Sequence, residues 1–402
     1  MRILLTAAKL WNGARLIDHP VVEIEDKRIR SIGSREANEL ASQAEHLDFP
    51  GALLAPAFFD VHFHGAGGHD LMEATPEALY AIGSEAARHG TGSYLATTVT
   101  APLDRTLHAV AELARLIQRP ELIKTQKVDC GQGKYGTAAR PVGIHLEGPF
   151  LSHARRGVQP AEHLLLPSIV VFDRLYEAAE GTMRLMTLAP ELPGAVELAA
   201  HATKRGVRIS LGHSDAKAAH TRTAIDAGAV SATHTFNAMR ALDHRELGIL
   251  GTVLTTDTLY AELICDGIHV APEMVKLWWR AKGQERAILV SDGMSATGMP
   301  DGEYQLGGFP VQVENGRATA RGVLAGSVLT LDRALGNFVE FTGATVEQGL
   351  RLLTANPAAM TGLDQAGCLR VGGAADLVAV DAAGKMIASM VSGQLLQAPG
   401  TP

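Results

Sequence analysis

Cysteine, aromatic side chains and long apolar runs are all scarce in this chain. The three cysteines, Cys130, Cys265 and Cys368, show no C-x-x-C spacing, which argues against a disulfide framework and against a thiolate zinc site. No apolar run approaches a membrane span of about 20 residues. The N-terminal apolar run, which Lys9 follows, is too short for a signal peptide. We therefore expect a cytoplasmic protein without a membrane partner.

Positive charge is not concentrated anywhere either. The chain has 36 lysines and arginines against 43 acidic residues, a formal net charge of −7. Proteins that bind nucleic acid usually carry a basic stripe, and this sequence has none. We expect no nucleic-acid partner.

The middle of the chain alternates β-like apolar runs with amphipathic helical stretches, such as the apolar positions Leu103, Leu107, Val110 and Ala114. Eight such units favour an α/β fold of the (β/α)₈ barrel type over an open sheet. The candidate strands are Leu53–His64, Ser93–Thr100, Val142–Glu147, Arg184–Pro190, Arg208–His213, Ala232–Phe236, Glu262–Ile268 and Ala287–Asp292.

Short strands and turns fill both ends of the chain. Because chain termini often lie close together, residues 1–52 and 365–402 predict one small β-sandwich domain, and residues 53–364 predict the barrel. The glycine-rich stretch 124–140 reads as a loop on the bottom face of the barrel, away from the chemistry.

A His-x-His pair stands in the run FDVHFHG at residues 59–65. Residues i and i+2 of a strand point to the same face, so His62 and His64 project together, as a metal site requires. The alternative is that both histidines are ordinary hydrogen-bonded residues, and the pair alone leaves the two open.

Other candidate ligands stand at the ends of further strands, where barrel enzymes gather their catalytic groups. Four histidines and two carboxylates form the nitrogen and oxygen set expected for one or two divalent ions, Zn²⁺ first, with Fe²⁺, Mn²⁺ or Co²⁺ as alternatives. Glu147 as a turn cap and Asp292 as a helix N-cap are the structural alternatives, and His145 stays open between support and ligation. The candidate ligands are His62, His64, Glu147, His213, His234 and Asp292.

A bound ion lowers the pKa of water, and one carboxylate can take the water proton and return it to a leaving group. We assign that carboxylate to Asp292. The pattern therefore predicts metal-assisted hydrolysis.

Several longer motifs carry a family resemblance. The sequence resembles the N-acetylglucosamine-6-phosphate deacetylases of the amidohydrolase superfamily over nearly its whole length. The motifs are PAFFDVHFHG at 56–65, HLEGPF at 145–150, LAPE at 188–191, GHS at 212–214, HTFNAM at 234–239, DGIHV at 266–270, LAGS at 324–327 and GGAADLV at 372–378. The resemblance implies deacetylation of N-acetylglucosamine 6-phosphate in amino-sugar catabolism.

The resemblance also implies roles for single residues. Glu147, His213 and His234 would hold the principal ion, and Asp292 would act as general base and then acid. The strand-one histidines would hold a second ion, bridged by Glu147. His269 would touch the substrate, Asn237 and Ala238 would meet its phosphate, and Arg245 would reach that phosphate across a homodimer interface.

Two departures from the family pattern affect the choice of sugar more than the reaction. Gln159 stands where relatives place a substrate-contacting histidine, and Gly293 follows Asp292 where alanine is usual. A deacetylase of a galactosamine or mannosamine analogue therefore stays open, as does a non-catalytic sugar-phosphate-binding regulator on the same fold. A cyclic-amide hydrolase is disfavoured because the fourth strand, 184–190, has no lysine to bridge two ions.

Overall fold

Eight parallel strands form a barrel in the computed structural model, which describes residues 2–34, 44–124 and 137–397. Each strand pairs with the next one along the chain, so all eight carboxyl ends meet at one mouth. The strands, numbered one to eight below, are Phe58–Phe63, Thr91–Thr97, Arg140–Glu147, Met183–Leu188, Arg208–Leu211, Ala229–Ala232, Tyr260–Ile264 and Ala287–Val290. The predicted (β/α)₈ barrel is confirmed.

The first and eighth strands meet just beyond the end of the eighth. The amide of Asp292 donates to the carbonyl of His62 at 2.9 Å, and the amide of His64 donates to the carbonyl of Gly293 at 2.8 Å. These two hydrogen bonds close the barrel at its mouth. The closing seam therefore runs through candidate site residues.

Helices cover the outside of the barrel, and their apolar faces keep the strands buried. The helix Leu103–Gln118 shows the predicted pattern, with Val110 and Leu113 buried against the barrel and Asp104 exposed. The helices are Pro76–Arg88, Leu103–Gln118, Ile169–Ala178, Ala195–Lys204, Ala218–Asp226, Gly248–Thr255, Pro272–Arg286, Leu331–Thr342, Val346–Leu353 and Ala355–Thr361.

Strands from both ends of the chain are hydrogen-bonded into one further sheet, with its own apolar cluster around Leu5, Ile24 and Leu54. The strand Glu45–Pro56 joins the two ends, because it pairs with an N-terminal strand on one side and a C-terminal strand on the other. The strands of this sheet are Arg2–Trp11, Leu16–Asp18, Pro20–Glu25, Arg28–Ser34, Glu45–Pro56, Leu377–Val380, Met386–Val391 and Gln394–Gln397.

The predicted first barrel strand, Leu53–His64, is wrong at its start. Residues 53–56 end a strand of the terminal sheet, and after Ala57 the chain enters the barrel. Both segments are buried and apolar, so hydrophobicity does not mark the point where one ends and the next begins. The division into residues 1–52 with 365–402 and residues 53–364 stays a prediction.

A small antiparallel sheet follows the eighth strand, and the sequence reasoning did not predict it. It ends in Val323–Leu324, which returns to the barrel mouth. Its strands are Gly302–Leu306, Phe309–Glu314, Arg317–Ala320 and Val323–Leu324.

The loop predicted over 124–140 lies, for residues 125–136, outside the described part of the chain. Within the described ranges 2–34, 44–124 and 137–397, no helix combines the length and apolar character needed to cross a bilayer.

Candidate metal centre

Three imidazoles surround one oxygen of Glu147, the last residue of strand three. Its Oε1 lies 3.3 Å from Nε2 of His62, 3.2 Å from Nε2 of His213 and 3.2 Å from Nε2 of His234. The Nε2 atoms of His213 and His234 are 3.1 Å apart. The structure thus brings together the residues expected to hold a principal ion.

A second group adjoins the first and shares His62 with it. Nε2 of His64 lies 3.2 Å from Nε2 of His62, and Oδ1 of Asp292 lies 3.2 Å from His64 and 3.4 Å from His62. Oε2 of Glu147 is 3.5 Å from Nε2 of His64. Glu147 therefore faces both groups, one with each oxygen.

These separations fit a divalent ion. Two ligands at 2.0–2.1 Å from one tetrahedral ion lie about 3.3 Å apart, which is close to the spacings within both groups. Nδ1 of His64 donates to the carbonyl of Thr97 at 3.3 Å, and Nδ1 of His213 donates to the carbonyl of Arg155 at 3.1 Å. Both rings therefore turn the Nε2 lone pair towards the centre, as metal ligation needs.

Three of the site residues lie beyond their strands and not within them. Strands five, six and eight end at 211, 232 and 290, two residues before His213, His234 and Asp292. These three residues have φ of 46°, 29° and 51°, which the extended backbone of a strand cannot have. The predicted ends at His213, Phe236 and Asp292 are therefore wrong, and the predicted strand Ala232–Phe236 shares only Ala232 with the observed strand. The predicted ends at Thr100 and Ile268 also lie beyond the observed ends at Thr97 and Ile264. Such strained conformations cluster at functional sites.

The carboxyl groups of the centre lie among imidazoles that favour their ionised form. Burial raises the pKa of Glu147, but the His62 and His213 imidazoles hold that pKa well below its usual range. Burial also opposes ionisation of Asp292, yet His62 and His64 bring its pKa down to about 2. Two ionised carboxylates thus face the candidate imidazoles in a buried pocket.

His145, left open by the sequence, has both ring nitrogens engaged away from the centre. Nδ1 donates to the carbonyl of Val61 at 3.1 Å, and Nε2 lies 2.8 Å from Oγ1 of Thr187. Burial and the neighbouring His62 keep the pKa of His145 well below its usual value. This histidine supports the barrel interior beneath the site.

Two buried carboxylates next to the centre escaped the sequence reasoning. Asp60 accepts hydrogen bonds from Ser291 and from the amide of His62, and burial raises its pKa to about 7. Glu262 of strand seven lies 3.3 Å from Nδ1 of His62. The available signal was a charged residue inside an otherwise apolar strand, since unpaired charges are almost never fully buried.

Gln159 lies beside Glu147. Its Nε2 donates to Oε2 of Glu147 at 2.8 Å, and its Oε1 accepts from the amide of Thr100 at 2.9 Å. The side chain is buried at the edge of the cavity, so it both lines that cavity and holds the glutamate.

A cavity of about 520 Å³ opens above the centre. His269, Asn237 and Ala238 line it, whereas Arg245 lies exposed on a loop and is not part of its wall. Val99, Val158, Leu306, Val323 and Leu324 give the cavity an apolar side.

Known proteins share this architecture. Residues 53–396 match the sequence model of the Amidohydrolase family. The chain is 38% identical over 397 residues to an N-acetylgalactosamine-6-phosphate deacetylase of Escherichia coli O157:H7, covering 98% of this chain and 99% of that one. It is 34% identical over 382 residues to an N-acetylglucosamine-6-phosphate deacetylase of Bacillus subtilis (strain 168), covering 94% and 93%.

A solved structure agrees with these matches. An N-acetyl-D-glucosamine-6-phosphate deacetylase mutant of Mycobacterium smegmatis, in complex with N-acetyl-D-glucosamine 6-phosphate, superposes with a TM-score of 0.87 at 34% identity. The match covers 98% of this chain and 99% of that one. The chain therefore belongs to the amidohydrolase family, in the group of the N-acetylglucosamine-6-phosphate deacetylases.

Proposed function

We propose that this hydrolase cleaves the acetamide of N-acetylglucosamine 6-phosphate, giving acetate and glucosamine 6-phosphate in amino-sugar breakdown. The observation that carries the proposal is the position of Asp292, whose carboxylate stands beside the candidate metal ligands on the wall of the cavity. A volume of about 520 Å³ is within the range that takes a small ligand such as a sugar phosphate.

The same proposal includes one or two divalent ions in this metal-dependent family. Glu147, His213 and His234 would hold the principal ion, and His62 with His64 the second. Zn²⁺ is the first candidate because of the imidazole-rich ligand set, with Fe²⁺, Mn²⁺ or Co²⁺ as alternatives. When bound, such an ion supplies Lewis-acid chemistry, polarising the carbonyl and making water more acidic.

Asp292 carries the proton. Its Oδ1 lies 3.2 Å from Nε2 of His64, beside the candidate ligands. It takes a proton from the attacking water as the water oxygen bonds to the acetyl carbon. It then gives that proton to the amide nitrogen as the C–N bond breaks.

The far end of the cavity suits the sugar and its phosphate. Nδ1 of His269 donates to Oδ2 of Asp266 at 2.7 Å, which fixes the ring and leaves Nε2 for the substrate. Phe236 and Ala238 have φ of 81° and 52°, on either side of Asn237. A backbone that alternates in this way turns successive N–H groups to one side, where they can bind an anion.

The cation for the phosphate is proposed to come from a second subunit. Among the described residues that line the cavity, Arg155 is the one lysine or arginine, and its Nε donates to Asp215 at 2.8 Å. Arg245 is exposed and free to meet a neighbour, and its guanidinium can pair with two phosphate oxygens. This arrangement implies a homodimer.

The variant Arg245→Ala tests this role. We expect KM for the phosphorylated sugar to rise about tenfold or more, the effect of losing one charged contact, with little change for unphosphorylated N-acetylglucosamine. Arg280→Ala, which removes an exposed arginine from the helix Pro272–Arg286, is the matched control. An equal rise for both substrates, or a monomer by light scattering, would remove Arg245 from the phosphate site.

N-acetylgalactosamine 6-phosphate is a second candidate substrate, favoured by the 38% identity to the Escherichia coli enzyme named for it. The two sugars differ only in the orientation of one hydroxyl, so the metal centre and Asp292 serve both equally. A non-catalytic regulator is disfavoured, because the candidate residues lie close together with none replaced.

A substrate panel decides among these functions. Acetate release is measured from the 6-phosphates of N-acetylglucosamine, N-acetylgalactosamine and N-acetylmannosamine, with metal content determined on the same sample. We expect the highest kcat/KM for the glucosamine compound. A higher value for the galactosamine compound would reassign the substrate, and no release from any of the three would refute the deacetylase.

A further inference from the structure

Glu262 lies in the middle of strand seven, Tyr260–Ile264, and is fully buried. Its Oε2 is 3.3 Å from Nδ1 of His62 and 3.4 Å from the backbone nitrogen of His234. Its Oε1 has no hydrogen-bond partner among the described residues. The other residues of the strand are tyrosine, alanine, leucine and isoleucine, so packing alone does not call for a carboxylate here.

The contact with Glu262 fixes how His62 faces the centre. A carboxylate accepts hydrogen bonds, so Nδ1 of His62 carries the proton and the lone pair of Nε2 is left for a metal ion. Backbone carbonyls orient His64 and His213 in the same way. Among these three rings, His62 alone depends on a side chain for its orientation.

Glu262 also places a third carboxyl group beside the two candidate ion positions. With Glu147 and Asp292 it makes three buried carboxyl groups in one region. Buried carboxyl groups are retained when they are paired or coordinate a metal.

We propose that Glu262 is a positioning residue that makes the strand-one histidines a second metal site, by holding His62 with Nε2 free. This inference rests on the proposed metal centre. It extends that centre, because it gives the reason why this chain takes a second ion.

The test is zinc binding by the apo full-length chain, measured by calorimetric titration and by metal analysis after dialysis. Glu262→Gln keeps the shape and replaces the carboxyl group by a weaker acceptor, and Glu262→Leu removes the acceptor at similar volume. We expect the parent to bind two ions, and each variant to keep the tighter one and bind the weaker one about 10- to 100-fold less well. Circular dichroism and thermal unfolding establish that each variant is folded.

The double variant His62→Gln/His64→Asn provides the matched background. In this background, adding Glu262→Gln should leave the affinity for the remaining ion unchanged, because His62, which Glu262 orients, has already been replaced. Undiminished binding of two ions by both Glu262 variants would overturn the proposal, and so would equal weakening of both ions or a parent that binds one ion. Zinc titration needs no substrate, so these outcomes are independent of whether the deacetylase reaction is observed.

Discussion

His62 and His64 lie within strand one and just after it, whereas His213, His234 and Asp292 lie two residues beyond their strands with positive φ. The first two, the strand pair, are placed by the alternation of side chains along a strand. The other three, the loop residues, need backbone conformations that cost free energy and that the surrounding structure must impose. The difference teaches that one centre can combine ligands that the local sequence positions with ligands that only the completed fold positions.

The supports of the two sets differ as well. The loop residues are tied to other loops, as when the amide of Ser214 donates to the carbonyl of Ala238 at 3.0 Å and that of Ser152 to the carbonyl of His213 at 2.9 Å. The strand pair rests on the barrel interior through Glu262 and Thr97. Changes to one set should therefore leave the other largely intact.

The largest loss of activity is expected for a change at Asp292, one of the loop residues. Asp292→Asn keeps the shape of the side chain but cannot take a proton, so kcat should fall about 10³-fold, within the range for a general acid–base. The variant should lose at most one of the ions that the parent binds, because Glu147, His213 and His234 remain. Hydrolysis by this variant at the parent rate would show that another group moves the proton.

Replacing the strand pair should reduce activity less than Asp292→Asn does. In His62→Gln/His64→Asn, metal content should fall from about two ions to about one, with kcat/KM reduced about tenfold. Metal analysis and acetate release on one preparation check both values. Complete loss of metal would mean that the principal ion depends on the strand pair and not on Glu147, His213 and His234 alone.

A smaller effect is expected at Gln159, which supports Glu147 between the two sets. Gln159→Leu leaves Oε2 of Glu147 and the amide of Thr100 without their partner, so affinity for the tighter ion should fall by about tenfold. Gln365→Leu makes the same change at an exposed position and serves as the control. Unchanged zinc affinity combined with a higher KM would assign Gln159 to the substrate instead.

The smallest effect on activity is expected at His89, which bonds to Asp332 and Glu85 on the helices outside the strand pair. Burial lowers the pKa of His89, but these carboxylates more than offset it and raise the pKa to about 9. Its contribution, about 3 kcal/mol from the size of the shift, is fully present below pH 6.5 and is lost as pH rises to 9.

Urea unfolding of the parent and of His89→Gln at pH 6 and pH 9.5 measures this contribution. The difference in unfolding free energy should be large at pH 6 and small at pH 9.5, with kcat unaffected at neutral pH. The same difference at both pH values would mean that His89 contributes by packing alone.

Strands and helices are best predicted from the sequence where the spacing of apolar residues matches the face that is buried. The eight alternating units follow from the apolar runs, and the apolar face of the helix Leu103–Gln118 follows from its period. The projection of His62 and His64 follows from the alternation of side chains along a strand. The terminal and barrel strands around Ala57 could not be separated, because both are continuously apolar. The ends of strands five, six and eight could not be located either, because φ at His213, His234 and Asp292 depends on contacts from distant loops.

Two features that were not predicted, the small sheet and Glu262, nevertheless have a signal in the sequence. The small sheet 302–324 contains Gly307-Gly308 and Asn315-Gly316 between its first three strands, and such pairs are typical of two-residue hairpin turns. Glu262 is a carboxylate inside a buried strand. No sequence pattern indicates that it contacts His62, which lies 200 positions away.

The closing seam between His62, His64, Asp292 and Gly293 has a consequence for the growing chain. Every candidate ligand except Asp292 is synthesised before strand eight, yet the barrel cannot close until residue 293 has left the ribosome. During synthesis, a chain that ends before strand eight carries five of the six candidate ligands without the framework that gathers them. The six residues should therefore come together only when the barrel is complete.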